Sequence, residues 1–283
     1  MENFENKILG VVCNDAGGAE VVSSWIKNNK YKTLYCLSGP ALKIFKKKLK
    51  YKINLSLKNV ISKSDVIMTG TSLKSKAEVN AIKYARRKNK LSFSFLDHWV
   101  NYKERFIRDN QKFFPDNIVV TDSHSKKLAK KIFNKSIKII QIENPYLKNF
   151  KKKTKKIILH KFNAVYFSSN LNKTNHKYSD EFYLKKGVDF FKKKYNLEKL
   201  KILVRQHPSE KKNKFLKFKI KGTKIYLDKN LNLIDTISEN NFFFGFESMA
   251  LVAASVSGKN TFSFKSKYKK DNVIPKMYIN SYI

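Results

Sequence analysis

Two stretches of the sequence gather residue types that handle phosphate and protons. The first is Arg205-Gln206-His207-Pro208-Ser209-Glu210, which begins at the end of the strand-like run at 201–205. An arginine neutralises phosphate charge. A histidine titrates near neutrality, so His207 can hydrogen-bond a phosphate or protonate a leaving group, or simply sit satisfied at a strand end. Pro208 stops the strand. The second stretch is Gly245-Phe246-Glu247-Ser248, between the apolar run at 242–244 and the small-residue run at 249–256. A tight turn there delivers helix N-terminal amides and a hydroxyl to one point, an arrangement that suits a phosphate. Glu247 can accept from two ribose hydroxyls or complement the helix dipole. Pro208, Ser209, Glu210, Gly245, Glu247 and Ser248 are thus candidate substrate contacts, with Arg205 and His207.

The first half of the chain carries three further loops. Asp15-Ala16-Gly17-Gly18 follows an apolar run, and its glycines let backbone approach a ligand closely. Asp15 is either a general base for an acceptor hydroxyl or a helix cap. Gly70-Thr71-Ser72 reads as a cap or a cleft contact. Asp97-His98-Trp99-Val100-Asn101-Tyr102-Lys103-Glu104-Arg105 joins aromatic platforms to hydrogen-bonding groups, which suits a sugar ring, and Asp97 is a second candidate base. His98, Asn101 and Tyr102 are candidate sugar contacts. The alternative for this loop is a packed Trp beside a structural His. The histidines and two cysteines show no metal-ligand spacing, and neither metal nor cofactor is expected.

These loops need strands and helices to place them. An apolar, β-branched run at 7–14 and further strand-like runs at 31–37, 65–68, 91–96, 117–121 and 137–142 alternate with helical patterns. That rhythm predicts a parallel sheet with helices on both faces. Ligand loops should follow the C-terminal ends of the strands. From Asn144-Pro145 the composition turns polar and basic, which predicts a first domain over 1–147, a linker over 148–160 and a second α/β domain over 161–283. In the second domain, strands are expected at 163–168, 201–205, 223–227, 241–244 and 261–264, the last being the final strand.

The formal net charge is +38, yet only five of the 60 basic residues are Arg, at 86, 87, 105, 108 and 205. Specific nucleic-acid readers rely on bidentate Arg, so no specific nucleic-acid partner is expected. Lysines spread along the chain, with abundant Asn, Ile, Phe and Tyr, reflect A/T-rich coding. Their charge still draws anionic sugar nucleotides and allows peripheral contact with an anionic membrane. The N-terminus lacks signal-peptide character, no apolar run spans a bilayer, and the cysteines read as buried thiols, so a cytoplasmic protein is expected.

The pairing of Arg-Gln-His-Pro-Ser-Glu at 205–210 with Gly-Phe-Glu-Ser-Met-Ala at 245–250 resembles bacterial GT-B glycosyltransferases, those related to sialyltransferases and to capsule or lipopolysaccharide sugar transferases. The resemblance covers roughly 165–264. It implies an α/β fold of two Rossmann-like domains facing across a cleft, with the acceptor on the first and a nucleotide-sugar donor on the second. It further implies that His207 and Pro208 hold the donor nucleotide together with the turn containing Ser248. The acidic pair followed by Gly that supplies the base in those sialyltransferases is absent; Asp15 and Asp97 stand in by position. The implied activity is sugar transfer from a nucleotide-activated donor to a surface-polysaccharide or lipopolysaccharide acceptor, which is a glycan or glycolipid. An epimerase of the UDP-N-acetylglucosamine 2-epimerase type and a non-catalytic nucleotide-sugar-binding protein are the alternatives on the same architecture.

Overall fold

The computed structural model describes residues 4–154, 163–169, 178–207, 210–211, 213–246, 248–264 and 274–283. The chain divides into two compact units, Met1–Asn149 and Phe150–Ile283.

The first unit runs β1 (Leu9–Cys13), α1 (Ala16–Asn29), β2 (Thr33–Leu37), α2 (Gly39–Leu49), α3 (Leu57–Lys63), β3 (Val66–Thr69), α4 (Ala77–Arg87), β4 (Ser92–Phe95), a small antiparallel ribbon β5 (Ile107–Arg108) and β6 (Gln111–Lys112), then β7 (Asn117–Val120), α5 (Ser123–Ile132) and β8 (Lys138–Gln141). α6 (Pro145–Lys153) follows and carries the chain across the division between the units. Every residue of β1, β3, β4 and β7 is buried. Parallel strands covered by helices on both sides are buried along their whole length. The sheet order is β2-β1-β3-β4-β7-β8, and every pairing is parallel.

Alternation along β1 divides the core. Val11 and Cys13 pack with Val21, Val22, Trp25 and Ile26 of α1 on one face. Val12 packs with Val60 and Ile61 of α3 and Ala81 and Ala85 of α4 on the other. This is the period of two expected of a strand between helix layers. The outer edge at β2 is closed by the loop after α2. Leu55 donates its amide to Tyr35, while the Asn54 side chain both accepts from the Leu37 amide (2.7 Å) and donates to its carbonyl (3.0 Å).

The second unit comprises β9 (Asn163–Phe167), α7 (Asp180–Tyr195), β10 (Leu200–Arg205), β11 (Thr223–Leu227), α8 (Leu233–Ser238), β12 (Phe242–Gly245), α9 (Met249–Val256), β13 (Asn260–Ser263) and β14 (Ser281–Tyr282). Its order is β11-β10-β9-β12-β13-β14, again with parallel pairings. The core is dense with aromatics: Tyr166, Phe191, Phe215, Phe244 and Phe264 are each essentially inaccessible. Gly187 lets α7 lie directly on β12, since a Cβ there would stand 2.2 Å from the Phe244 ring.

The alternating rhythm read from the sequence is therefore present in both halves, and each half is a Rossmann-like domain. Three elements depart from expectation. The polar stretch from Lys148 is helical as far as Lys153, within α6. The β5–β6 ribbon has only two residues per strand, too few for any periodic signal. β13 is not the final strand: β14 pairs beside it through Phe262–Ser281 and Ser263–Tyr282. Its pairing and packing, not its polar composition, make it a strand.

Candidate functional site

In each sheet, chain order reverses at one place, the position at which open α/β sheets bind their ligands. In the first unit this place is between β1 and β3. Asn14, at the end of β1, is held from three sides. Its amide donates to Glu78 Oε1 (2.7 Å), its side-chain amide to Ser38 Oγ (2.7 Å), and its carbonyl accepts from the Ala41 amide (3.0 Å). Asp15 then occupies the N-cap position of α1 with extended backbone, yet its side chain makes no capping hydrogen bond. The carboxylate is not spent on the helix end, as the capping alternative required.

Gly17 and Gly18 are explained by what presses on them. A Cβ at Gly18 would come 3.0 Å from the Gly70 Cα, so the loops after β1 and β3 touch backbone to backbone. A Cβ at Gly17 would come 1.8 Å from Asp97 Oδ2. Asp97, just beyond β4, therefore lays its carboxylate on the first turn of α1, where helix amides favour negative charge. Its other oxygen, Oδ1, accepts from Arg105 Nη1 (3.2 Å) and lies 3.4 Å from Thr71 Oγ1. Arg105 Nη1 also donates to Thr71 Oγ1 (3.1 Å). Both members of the ion pair are largely shielded, at 8% and 13% side-chain exposure for Arg105 and Asp97. The structure thus brings Asp15, Gly17, Gly18, Gly70, Thr71 and Asp97 together.

Sequence reasoning missed Glu78 here. It lies in the first turn of α4, 2% exposed, with Oε2 buried and without a hydrogen-bond partner. Burial raises its pKa above the ordinary carboxyl value, against the lowering effect of the Asn14 amide, and Asp15 adds to the rise. An acid two residues inside a helix reads as dipole complementarity; only the packing of α4 shows that it is buried. The thiol of Cys13 is likewise pushed up, by burial first and by Glu78 next.

The 97–105 loop is more closed than its composition suggested. Trp99 is 7% exposed and donates from Nε1 to Asp122 Oδ2 (2.8 Å), and Asp122 caps α5. Tyr102 is 2% exposed and stacked on Phe133, with burial pushing its phenol up to about 12. The expectation of Tyr102 as an exposed sugar platform is corrected: the area these rings bury in the core outweighs their polar tips. Asn101 is exposed at φ 57°, a turn conformation that Asn tolerates well. His98 Nδ1 accepts from the Trp99 amide (3.0 Å).

In the second unit the reversal falls between β9 and β12. A Cβ at Gly245 would stand 2.4 Å from the Phe167 carbonyl oxygen, so glycine is what permits this turn. Ser248 is the N-cap of α9 and accepts from the Leu251 amide at 3.4 Å. From the neighbouring strand end, the His207 amide donates to Ser168 Oγ (3.0 Å) and to Glu210 Oε2 (2.8 Å), and the His207 side chain lies at the surface. The loops after β9, β10 and β12 therefore gather at one edge of the sheet.

Two expectations change at this edge. Arg205 does not offer Nη1 to a phosphate, because that group already bonds Asp228 Oδ2 (2.5 Å), the Asn230 carbonyl (3.1 Å) and Thr236 Oγ1 (2.9 Å). Asp228 is buried, and leaving it unpaired there would be costly. Glu210 is a loop anchor rather than a substrate hook. Its side chain is 1% exposed, Oε2 takes Ser168 Oγ and the His207 amide, and Oε1 pairs with Lys214, which also holds Asp180. Pro208, Ser209 and Glu247 lie outside the described residues.

No family model matches the chain, and no curated protein matches it in sequence. Solved structures do match in fold. UDP-GlcNAc 2-epimerase from Neisseria meningitidis, solved bound to UDP-GlcNAc, is 13% identical over 95% of this chain and 85% of that one, with a TM-score of 0.62. The UDP-GlcNAc 2-epimerase from Methanocaldococcus jannaschii is 12% identical over 90% and 83%, at 0.58. MurG from Acinetobacter baumannii is 10% identical over 94% and 81%, at 0.56. The fold is accordingly of the GT-B type, two Rossmann-like domains in one chain.

Proposed function

We propose that this chain is an enzyme of nucleotide-activated sugars. The observation that carries the reading is the β9/β12 edge of the second unit. There Gly245 brings the turn against the Phe167 backbone, α9 begins at Ser248, and the loop bearing His207 is fixed by Ser168 and Glu210. A helix start and a surface imidazole at the same end of one sheet, with β9 between their strands, are suited to a diphosphate or phosphate linkage. Neighbours in fold include an enzyme bound to UDP-GlcNAc and a complex with UDP. The reacting carboxylates belong to the first unit, as Asp97 or Asp15.

In detail, the reading is glycosyl transfer to a glycan or glycolipid acceptor. On the second unit, His207 and the α9 amides stabilise the departing phosphate as its charge develops; on the first, Asp97 and Asp15 are the candidate bases for an acceptor proton. A second reading, 2-epimerisation, is favoured by one observation. The β1/β3 edge holds carboxyls in two environments, Asp97 paired with Arg105 and Glu78 buried beside the Asn14 amide. Such a contrast is what an acid–base pair needs.

The test is a melting panel with UDP, CMP, GDP and CDP, followed by the matching nucleotide sugar in deuterated water without acceptor. Stabilisation by one nucleotide, lost in His207→Ala and Ser248→Ala, supports the reading. No stabilisation by any of them overturns it. Deuterium at sugar C2 marks epimerisation; its absence, with product formed only when acceptor is added, marks transfer. Binding without either reaction leaves a nucleotide-sugar-binding protein.

A further inference from the structure

Between Glu20 and Asp65 the sequence has eleven lysines, no acidic residue and no arginine. Part of this segment lies along one rim of the first unit, because β2 is the outer strand of its sheet and the loop after α2 is bonded to it. On α2, Leu42, Lys43, Lys46 and Lys47 share a face, and Lys50 caps the helix just beyond them; all five are exposed. Lys48, on another side, is the one that pairs, with Glu20. Among the described residues none of Lys43, Lys46, Lys47 and Lys50 has a carboxylate partner.

The same place carries aliphatic surface. Ile53 is 67% exposed and Leu42 37%. Ile53 is also held in place, because its neighbours Asn54 and Leu55 are bonded to Leu37 and Tyr35 of β2. An isoleucine fixed outward just beyond a lysine face gains nothing in water.

We propose that this edge of the first unit, centred on the C-terminal end of α2 and Ile53, docks on an anionic phospholipid surface. Lysines near such a surface are drawn by its negative potential, and an aliphatic side chain beside them gains by entering the headgroup boundary. Nucleic acid shares the negative charge but not the second property. The absence of Arg from the segment removes the side chain that base readout and base stacking favour. Attachment is peripheral: among the described residues no helix is long and apolar enough to cross a membrane. The inference does not depend on the nucleotide-sugar reading.

The experiment is co-sedimentation of the full chain with phosphatidylcholine vesicles, with vesicles that also contain phosphatidylglycerol, and competition by duplex DNA. Binding is expected only with phosphatidylglycerol, and it weakens as salt is raised. The triple change Lys46→Glu/Lys47→Glu/Lys50→Glu should lower vesicle affinity by at least about 100-fold at low salt. The matched control Lys185→Glu/Lys193→Glu/Lys199→Glu, exposed on the second unit, should change it by less than about threefold on the same footing. Ile53→Ser should weaken vesicle binding and leave any DNA binding unchanged. All of these substitutions lie at the surface, and thermal melts confirm that each variant is folded. Equal losses in the triple variant and its control, no binding to phosphatidylglycerol vesicles, or tighter binding to DNA with Ile53→Ser silent on vesicles would each overturn the proposal.

Discussion

Glu78 is a carboxyl whose behaviour follows from burial and not from its place in the sequence. Its pKa is raised in the folded chain, with burial as the first cause. The folded protein therefore keeps a proton that the unfolded chain releases in the ordinary carboxyl range. The stability this contributes is complete below that range and is lost as pH rises through the folded value. Glu78→Gln cannot ionise and retains an acceptor for the Asn14 amide. Its melting temperature, relative to the parent, should rise between about pH 4 and pH 7; calorimetry across that range would show a flat difference if the group were ordinary. Gly17 gives a second prediction. An alanine Cβ would fall 1.8 Å from Asp97 Oδ2, so Gly17→Ala must push the carboxylate off α1 and disturb the Arg105 pair. A loss of about 1–3 kcal/mol is expected from chemical denaturation. Gly18 meets backbone rather than a side chain, and its replacement offers no comparable route to relaxation.

The elements themselves were largely legible, and the exceptions have physical causes. Runs such as Leu9–Cys13 and Ile118–Val120 are apolar throughout, which is what burial on both faces demands. β14 and the β5–β6 ribbon could not be read, because two residues carry no period, and β14 also takes its pairing from a strand far back along the chain. At the site, Gly17, Gly18, Asp97 and Gly245 were visible as loop residues after strands, and the structure shows what crowds each of them. What could not be read was commitment. Arg205 Nη1 and the Glu210 carboxylate resemble ligand-binding groups until Asp228, Ser168 and Lys214 are seen to engage them. Glu78, conversely, was hidden because nothing local to its helix marks it. Gly187 tests the packing of one element on another. A Cβ there would meet the Phe244 ring at 2.2 Å, so Gly187→Ala should gain helix propensity yet lose about 1–3 kcal/mol overall, as α7 is forced away from β12. A stabilised variant in urea denaturation would show that the ring gives way instead.

For the molecule as a whole, charge is the term that most depends on conditions. At a formal +38, self-repulsion works against the compact state. Raising ionic strength from about 0.01 to about 0.15 M shortens the screening length from roughly 30 to roughly 8 Å. The melting temperature should rise over that interval in calorimetry, and a fall would mean that specific attractions outweigh the repulsion. The same charge keeps copies of the chain apart, but only while the backbone offers them nothing to pair with. Asn54 bears on that condition. Its side chain both accepts from and donates to Leu37, as a seventh strand would, and so occupies part of the hydrogen-bonding edge of the sheet. Open edges invite strand addition from another chain. Asn54→Ala would uncover those groups, and light scattering on warming at moderate salt should then show self-association beginning at a lower temperature than in the parent. One amide side chain at the rim of the sheet thus acts as a guard against polymerisation, and its importance grows as salt weakens the repulsion between copies.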